Sequence, residues 1–183
     1  MASAFAHALL AVTIGKPFTR KFITWKFWLL GIICTILPDV DIISFKLGIP
    51  YEHILGHRGF SHSLVFALLL SIMVTATFYR KVKLLSPDGL LLVLFFFLSI
   101  ASHALLDAMT TGGLGVAVFS PFDNERYFMP WRPIKVSPIG VSEFISEWGL
   151  RVLKSEFIWV GLPCIFIIIL VSIFKRINSS KLQ

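Results

Sequence analysis

The chain has 183 residues, of which 56% are hydrophobic and 15% are charged, and its formal net charge is +7. Soluble domains carry about 25% charged and about 45–50% apolar residues, and the mean hydropathy here is +0.83. This composition excludes a disordered chain and an ordinary cytosolic enzyme, and it predicts a small protein surrounded by lipid. The only cysteines, Cys34 and Cys164, lie in apolar runs, which excludes a disulfide-stabilised secreted module.

Five apolar segments, in chain order, predict an all-α fold, a polytopic membrane bundle of about four to five helices. They cover residues 4–14, 22–38, 64–79, 89–109 and 157–174. A helix needs about 20 apolar residues to cross a hydrocarbon core of about 30 Å. The last two segments are therefore predicted to span, and the second and third are marginal. The first is too short to span alone, which leaves a half-buried or re-entrant helix open.

The positive charges lie in short stretches next to the apolar segments. The clusters are Lys16, Arg20, Lys21 and Lys26; Arg80, Lys81 and Lys83; and Lys175, Arg176 and Lys181. Short basic stretches of this kind are typical of the cytoplasmic side of a membrane. They predict a multi-pass membrane protein with a cytoplasmic C-terminus, and residues 39–63 and 110–156 on the outer side, which in a bacterium is the periplasm. Charge distributed in this way predicts contact with membrane lipid and no direct nucleic-acid partner.

The sequence contains no internal repeat and no boundary of a second domain, so we expect one integral-membrane domain over residues 1–183. Residues 110–156 form the one long connection, and they are rich in glycine and proline. Long connections in compact folds are usually lids or binding loops. This segment is therefore expected to be a periplasmic loop or lid.

The predicted topology brings eight ionisable side chains, within or next to the apolar segments, to one membrane level. These residues are His7, Asp39, Asp41, His57, Arg58, His62, His103 and Asp107. Ionisable groups in membrane segments are energetically costly and tend to mark functional sites. His53 lies nearby in the outer loop, where a solvated side chain is the simpler interpretation.

The histidines and aspartates at this membrane level predict a metal site. His103 and Asp107 are four residues apart, so on a helix they share a face and can point at one cation. Imidazole nitrogens and carboxylate oxygens suit Zn²⁺, Mn²⁺ or Fe²⁺, and the absence of thiolates argues against a structural zinc knot. Zinc is the first expectation, with manganese or iron as alternatives. The predicted ligands are His7, Asp39, His57, His62, His103 and Asp107.

Two further residues are predicted to have catalytic roles. Pro38 is expected to stop the second helix, so that a tight turn presents Asp39 and Asp41. Asp41 is then the candidate general base or the group that orients a metal ligand. Arg58 is the candidate that stabilises negative charge on phosphoryl oxygens.

Several motifs together resemble the YdjM/YbcI family of bacterial inner-membrane proteins over nearly the whole chain. They are Leu37-Pro38-Asp39-Val40-Asp41, the run from Gly56 to Ser63 with both of its histidines, and Ser102-His103 with Asp107 followed by Thr110-Thr111-Gly112-Gly113. The resemblance implies a membrane-bound metal-dependent hydrolase and, for some members, a link to the LexA-controlled DNA-damage response.

The order of these histidines and aspartates also loosely resembles the helical arrangement of zinc-dependent phospholipase C and related nucleases. The chain lacks the mature N-terminal tryptophan ligand and the second His-x-x-x-Glu pair of those enzymes. The comparison therefore implies one or two metal ions rather than three.

Two functions follow as hypotheses. The first is hydrolysis of a phosphoester in a lipid or lipid-linked substrate at the periplasmic face. The alternative is a non-catalytic metal-binding or partner-binding inner-membrane protein of the DNA-damage response. The chain has no Gly-x-Ser-x-Gly, Walker or dinucleotide motif, which disfavours serine hydrolases, ATPases and oxidoreductases. The inner halves of the segments are nearly free of ionisable residues, which argues against a transporter.

Overall fold

The structure is a computed structural model that describes residues 1–18 and 22–180. Within these ranges the chain is all-helical, with two isolated β-bridges and no β-strand. The predicted all-α class is therefore confirmed. Three members of the basic clusters, Arg20, Lys21 and Lys181, lie outside the described residues.

The second α-helix ends at Ile36, before Pro38, and a tight turn carries Asp39 and Asp41, as predicted, but helical structure continues beyond this turn. Helix α1 covers Ala4–Gly15 and α2 covers Trp25–Ile36, and α2 continues through a 3₁₀ turn, Leu37–Ile42, into a short α3, Ile43–Lys46. Pro38 occupies the first turn of the 3₁₀ segment, where a missing N–H and a fixed φ are tolerated. The result is an apolar helical stretch of 22 residues, Trp25–Lys46, which is long enough to cross a membrane.

The remaining elements follow in order: a 3₁₀ turn at Phe60–His62, α4 at Leu64–Phe78, α5 at Pro87–Ala108, α6 at Val141–Phe144, α7 at Glu147–Glu156, a π-turn at Phe157–Gly161 and α8 at Leu162–Ser180. The last helix therefore begins about ten residues earlier than predicted, because the first turns of α7 are amphipathic and do not register as an apolar run. Among the described residues, three helices are long and apolar enough to span: Trp25–Lys46, Pro87–Ala108 and Glu147–Asn178.

Helix α5 lies at the centre of a bundle and packs against α1, α2 and α4, while α8 packs against α1. The core is aromatic where α2 meets α5, since the rings of Phe27 and Phe95 stack with centroids 3.9 Å apart. Gly31 permits this approach, because a Cβ there would lie 2.7 Å from Phe95 Cζ. Many apolar side chains point outward, as expected for helices that face lipid.

The two ends of the bundle differ in chemistry. At one end the basic clusters meet: Lys26 Nζ donates to the carbonyl of Phe78, and Lys175 Nζ donates to the carbonyls of Lys16 and Phe18. The histidines and aspartates singled out in the sequence lie at the opposite ends of the same helices. This polarity agrees with the segment order inferred from basic residues, while the side of the membrane that each end faces stays a prediction.

Candidate metal centre

Four of the predicted ligands converge at the non-basic end of the bundle: Asp39, His62, His103 and Asp107. One ligand atom from each lies within 4.8 Å of all the others. The Nε2 atoms of His62 and His103 are 3.0 Å apart, and His103 Nε2 is 3.3 Å from Asp39 Oδ1. His62 Nε2 is 3.7 Å from Asp107 Oδ2. The 3₁₀ turn after α2, the 3₁₀ turn before α4 and the last turns of α5 together supply the set.

Both histidines of the cluster are held through the ring nitrogen that faces away from it. His103 Nδ1 lies 2.7 Å from the carbonyl oxygen of Thr35, and His62 Nδ1 lies 3.1 Å from Asp41 Oδ2. These two acceptors favour a proton on each Nδ1, so that each Nε2 is the nitrogen that faces the cluster and can bind a metal ion. Histidine ligands in metalloproteins are oriented in this way.

The two carboxylates bring oxygens that have no hydrogen-bond donor. Asp39 Oδ1 and Asp107 Oδ2 are buried without a hydrogen-bond partner, although Asp107 Oδ2 lies 3.0 Å from Arg58 Nε. A buried acceptor without a donor is energetically costly. Two such oxygens beside the two imidazole Nε2 atoms form a set that a divalent cation satisfies. These residues therefore fit a metal ion with nitrogen and oxygen ligands.

Asp41 lies behind the cluster and accepts several hydrogen bonds. It lies 2.5 Å from both His57 Nδ1 and Ser61 Oγ, and 2.9 Å from the backbone nitrogen of Arg58, in addition to its contact with His62. With its oxygens so engaged, Asp41 orients His62, which is one of the two roles predicted for it. Its use as a general base stays a prediction.

Arg58 is fully buried and is held by the segment that follows α5. Its two terminal nitrogens donate to the carbonyl of Gly112 at 3.0 Å and to Thr110 Oγ1 at 3.1 Å. Its own φ of 60° places the backbone in the left-handed region, which is uncommon for a residue other than glycine. A Cβ on Gly113, where φ is 86°, would lie 2.7 Å from Arg58 Nη1. The Thr-Thr-Gly-Gly motif therefore holds the guanidinium of Arg58 next to Asp107.

In this position Arg58 compensates the charge of Asp107. All three nitrogens of its guanidinium face protein groups. The expected role of Arg58, to stabilise negative charge on phosphoryl oxygens, stays a prediction.

Two predicted ligands, His57 and His7, lie outside the cluster of four. His57 binds Asp41 and packs edge-on against Tyr51. His7 stacks on the ring of His103 with centroids 3.9 Å apart, and its Nε2 lies 3.6 Å from Asp107 Oδ1. Both ring nitrogens of His7 are buried without a hydrogen-bond partner. His7 therefore borders the cluster, and ligation by either residue stays a prediction.

The N-terminal segment and Glu156 support Asp107, and sequence reasoning missed both. The backbone nitrogen of Ala2 donates to Asp107 Oδ1 at 2.7 Å. Next to it, the nitrogen and the hydroxyl of Ser3 each donate to the buried carboxylate of Glu156 at 2.5 Å. These partners are 105 and 153 residues apart, so no local spacing could reveal them.

Arg126 joins the long connection to the loop before α4. The guanidinium of Arg126 donates to the carbonyls of Tyr51, His53 and His57 and lies over the Tyr51 ring. It therefore ties the connection to the loop that carries His57 and Arg58.

The protonation of His62 couples metal binding to pH. Burial alone would lower its pKa, but the neighbouring carboxylates of Asp107, Asp39 and Asp41 outweigh burial and raise the pKa of His62 to about 10. A metal ion must therefore displace a proton from the metal-free protein at neutral pH. We expect the affinity for Zn²⁺ to rise about tenfold per unit between about pH 6 and pH 8.

Isothermal titration calorimetry in buffers of different ionisation enthalpy tests this expectation, because it counts the protons released on binding. A pH-independent affinity with no proton release would contradict it.

Comparison with known proteins gives a consistent result. The family described as YdjM inner membrane protein matches residues 1–178. Inner membrane protein YbcI of Escherichia coli (strain K12) is 41% identical over 167 residues, which cover 89% of this chain and 92% of that protein. No solved structure matches the chain. The resemblance seen in the motifs is therefore confirmed.

Proposed function

The chain belongs to the YdjM family of inner membrane proteins, and we propose that it is a metal-dependent hydrolase. Its proposed substrate is a phosphoester of a lipid or lipid-linked molecule, and its proposed metal is zinc. We further propose that the site faces the periplasm, since it lies at the end of the bundle opposite the basic clusters.

One observation carries the proposal. Two imidazole nitrogens and two carboxylates converge in one cluster, in which Asp39 Oδ1 and Asp107 Oδ2 are buried without a hydrogen-bond donor. A cluster that served only to join helices would be expected to pair its acceptors with donors. Acceptors without donors favour a bound cation. Because the cluster lies at one end of the membrane helices, lipid headgroups are the substrates we propose for it.

The residues around the cluster would have different roles in the proposed reaction. Asp39, His62, His103 and Asp107 would hold the ion, which when bound would activate water for hydrolysis near neutral pH. Asp41 and the Thr35 carbonyl orient the two histidines, and Arg58 balances the charge of Asp107.

The direct test is turnover. Protein purified in detergent and loaded with Zn²⁺ is mixed with phosphatidic acid, and released phosphate is measured. We expect turnover in the wild type and loss of roughly a thousandfold or more in His103→Ala, since metal-assisted hydrolysis depends on the intact ligand set. His53→Ala is the matched control, because His53 is exposed and lies outside the cluster.

Failure of the Zn²⁺-loaded wild type to turn over phosphorylated lipids would contradict the proposal. It would favour the alternative of a non-catalytic metal-binding protein.

A further inference from the structure

A groove of about 290 Å³ lies beside the metal centre, where the start of α1, the end of α2 and α6 meet. Its lining includes Phe5, Ile36, Asp39, Val141 and Phe144. Among the described lining residues, Asp39 is the only one with a charged side chain. Because Asp39 also belongs to the cluster of four, the groove leads to the metal centre.

The walls of this groove are exposed and apolar. Val141 is 77% exposed and Phe5 is 69% exposed, and the rings of Phe5 and Phe144 lie 6.4 Å apart. Phe5 also lines a second groove of about 300 Å³, which follows α1 past Leu9 and is closed on its other side by α7 and the π-turn. Since α1 runs from the site end towards the basic end, the second groove leads away from the metal centre into the apolar part of the bundle.

The polar side chains of the first groove offer little to a polar ligand. Ser3 is engaged by Glu156, and Ser137 Oγ donates to the carbonyl of Pro138. A sugar or a peptide would lose hydrogen bonds to water there without replacement. A hydrocarbon chain loses none and buries apolar surface.

We propose that this groove binds the hydrocarbon chain of a phosphorylated lipid, with Phe5 and Val141 against the chain and the phosphoester at Asp39. This inference rests on the proposed function and deepens it by assigning the substrate's apolar part to named residues. Acyl and isoprenyl chains share the chemistry required, so both are compared in the test.

The test uses the full chain in nanodiscs with two photoreactive probes, a phosphatidic acid and an isoprenyl phosphate that each carry a diazirine on the chain. Cross-linked peptides are mapped by mass spectrometry, which requires no catalysis. We expect saturable labelling of residues 1–5 and 137–144 by at least one probe. Val141→Trp, which fills the groove, is expected to reduce that labelling roughly tenfold. Leu85→Trp is the matched control, because Leu85 is 84% exposed and lies at the basic end, between α4 and α5.

Preference for one probe identifies the chain type. Labelling of the groove that is no stronger than on the outward face of α4, or that survives Val141→Trp, would overturn the inference even if the protein hydrolyses phosphorylated lipids. Saturable groove labelling without turnover of any phosphorylated lipid would instead contradict the proposed function and leave the lipid groove standing.

Discussion

His103→Ala and Asp107→Asn are each expected to abolish binding of divalent metal. The wild type should hold about one equivalent per chain, because four ligand atoms form a single cluster. Removing His103 deletes the ligand atom that lies closest to both Asp39 and His62. Amidation of Asp107 preserves its size but removes the negative charge that the cation needs. Elemental mass spectrometry of purified protein, after exposure to equimolar Zn²⁺, Mn²⁺ and Fe²⁺, measures the content and the preferred ion.

Two substitutions outside the cluster provide matched controls. His53→Ala removes an exposed histidine, and Asp123→Asn removes the charge of a partly exposed carboxylate that accepts a hydrogen bond from Tyr127. Both variants should retain the wild-type metal content. Metal retained in His103→Ala and Asp107→Asn, or absent from the wild type, would contradict the assignment of the four ligands.

Arg58→Ala is expected to lower the free energy of unfolding of the metal-free protein by about 3–5 kcal/mol, because it deprives a buried carboxylate of its nearest cation. Arg58 and Asp107 are both almost completely buried, and Arg58 Nε lies 3.0 Å from Asp107 Oδ2. The change also removes the donors to Thr110 and to the carbonyl of Gly112. Thermal or denaturant unfolding in detergent, after chelation, measures the effect.

A double substitution separates charge from packing. Adding Asp107→Asn to Arg58→Ala should recover part of the lost stability, since the buried negative charge is then gone. Arg151→Ala is the surface control, because its ion pair with Glu147 is exposed and such pairs contribute about 0–1 kcal/mol. Equal losses in Arg58→Ala and Arg151→Ala would show that the buried pair does not stabilise the fold.

The helices were predictable where hydropathy alone defines them. The segment predicted at 89–109 corresponds to α5, Pro87–Ala108, and the segment at 64–79 corresponds to α4, Leu64–Phe78. The errors occurred where polar residues continue a helix. Helical structure persists past Pro38 through a 3₁₀ turn, and α7 is amphipathic, so neither extension has the apolar pattern that marks a span.

The candidate site was predictable as a set of residues but not as an arrangement. The i, i+4 spacing on one helix correctly paired His103 with Asp107 on the face of α5 that meets the cluster. No pattern could separate His62, which joins the cluster, from His57, which binds Asp41 behind it. The two residues lie in the same short stretch before α4, and the direction of each ring depends on its neighbours from other helices.

Hydropathy, charge and helical periodicity act over a few neighbouring residues, so the sequence was enough to establish a helical membrane protein, its basic end and its polar level. The role of each residue at that level could be assigned only from the tertiary structure. Whether Asp39 is a ligand and Asp41 an orienting acceptor, and whether Arg58 faces a substrate or Asp107, depends on distances between atoms of different helices. Such contacts join residues dozens of positions apart, as between His62 and His103, and only packing around α5 sets them.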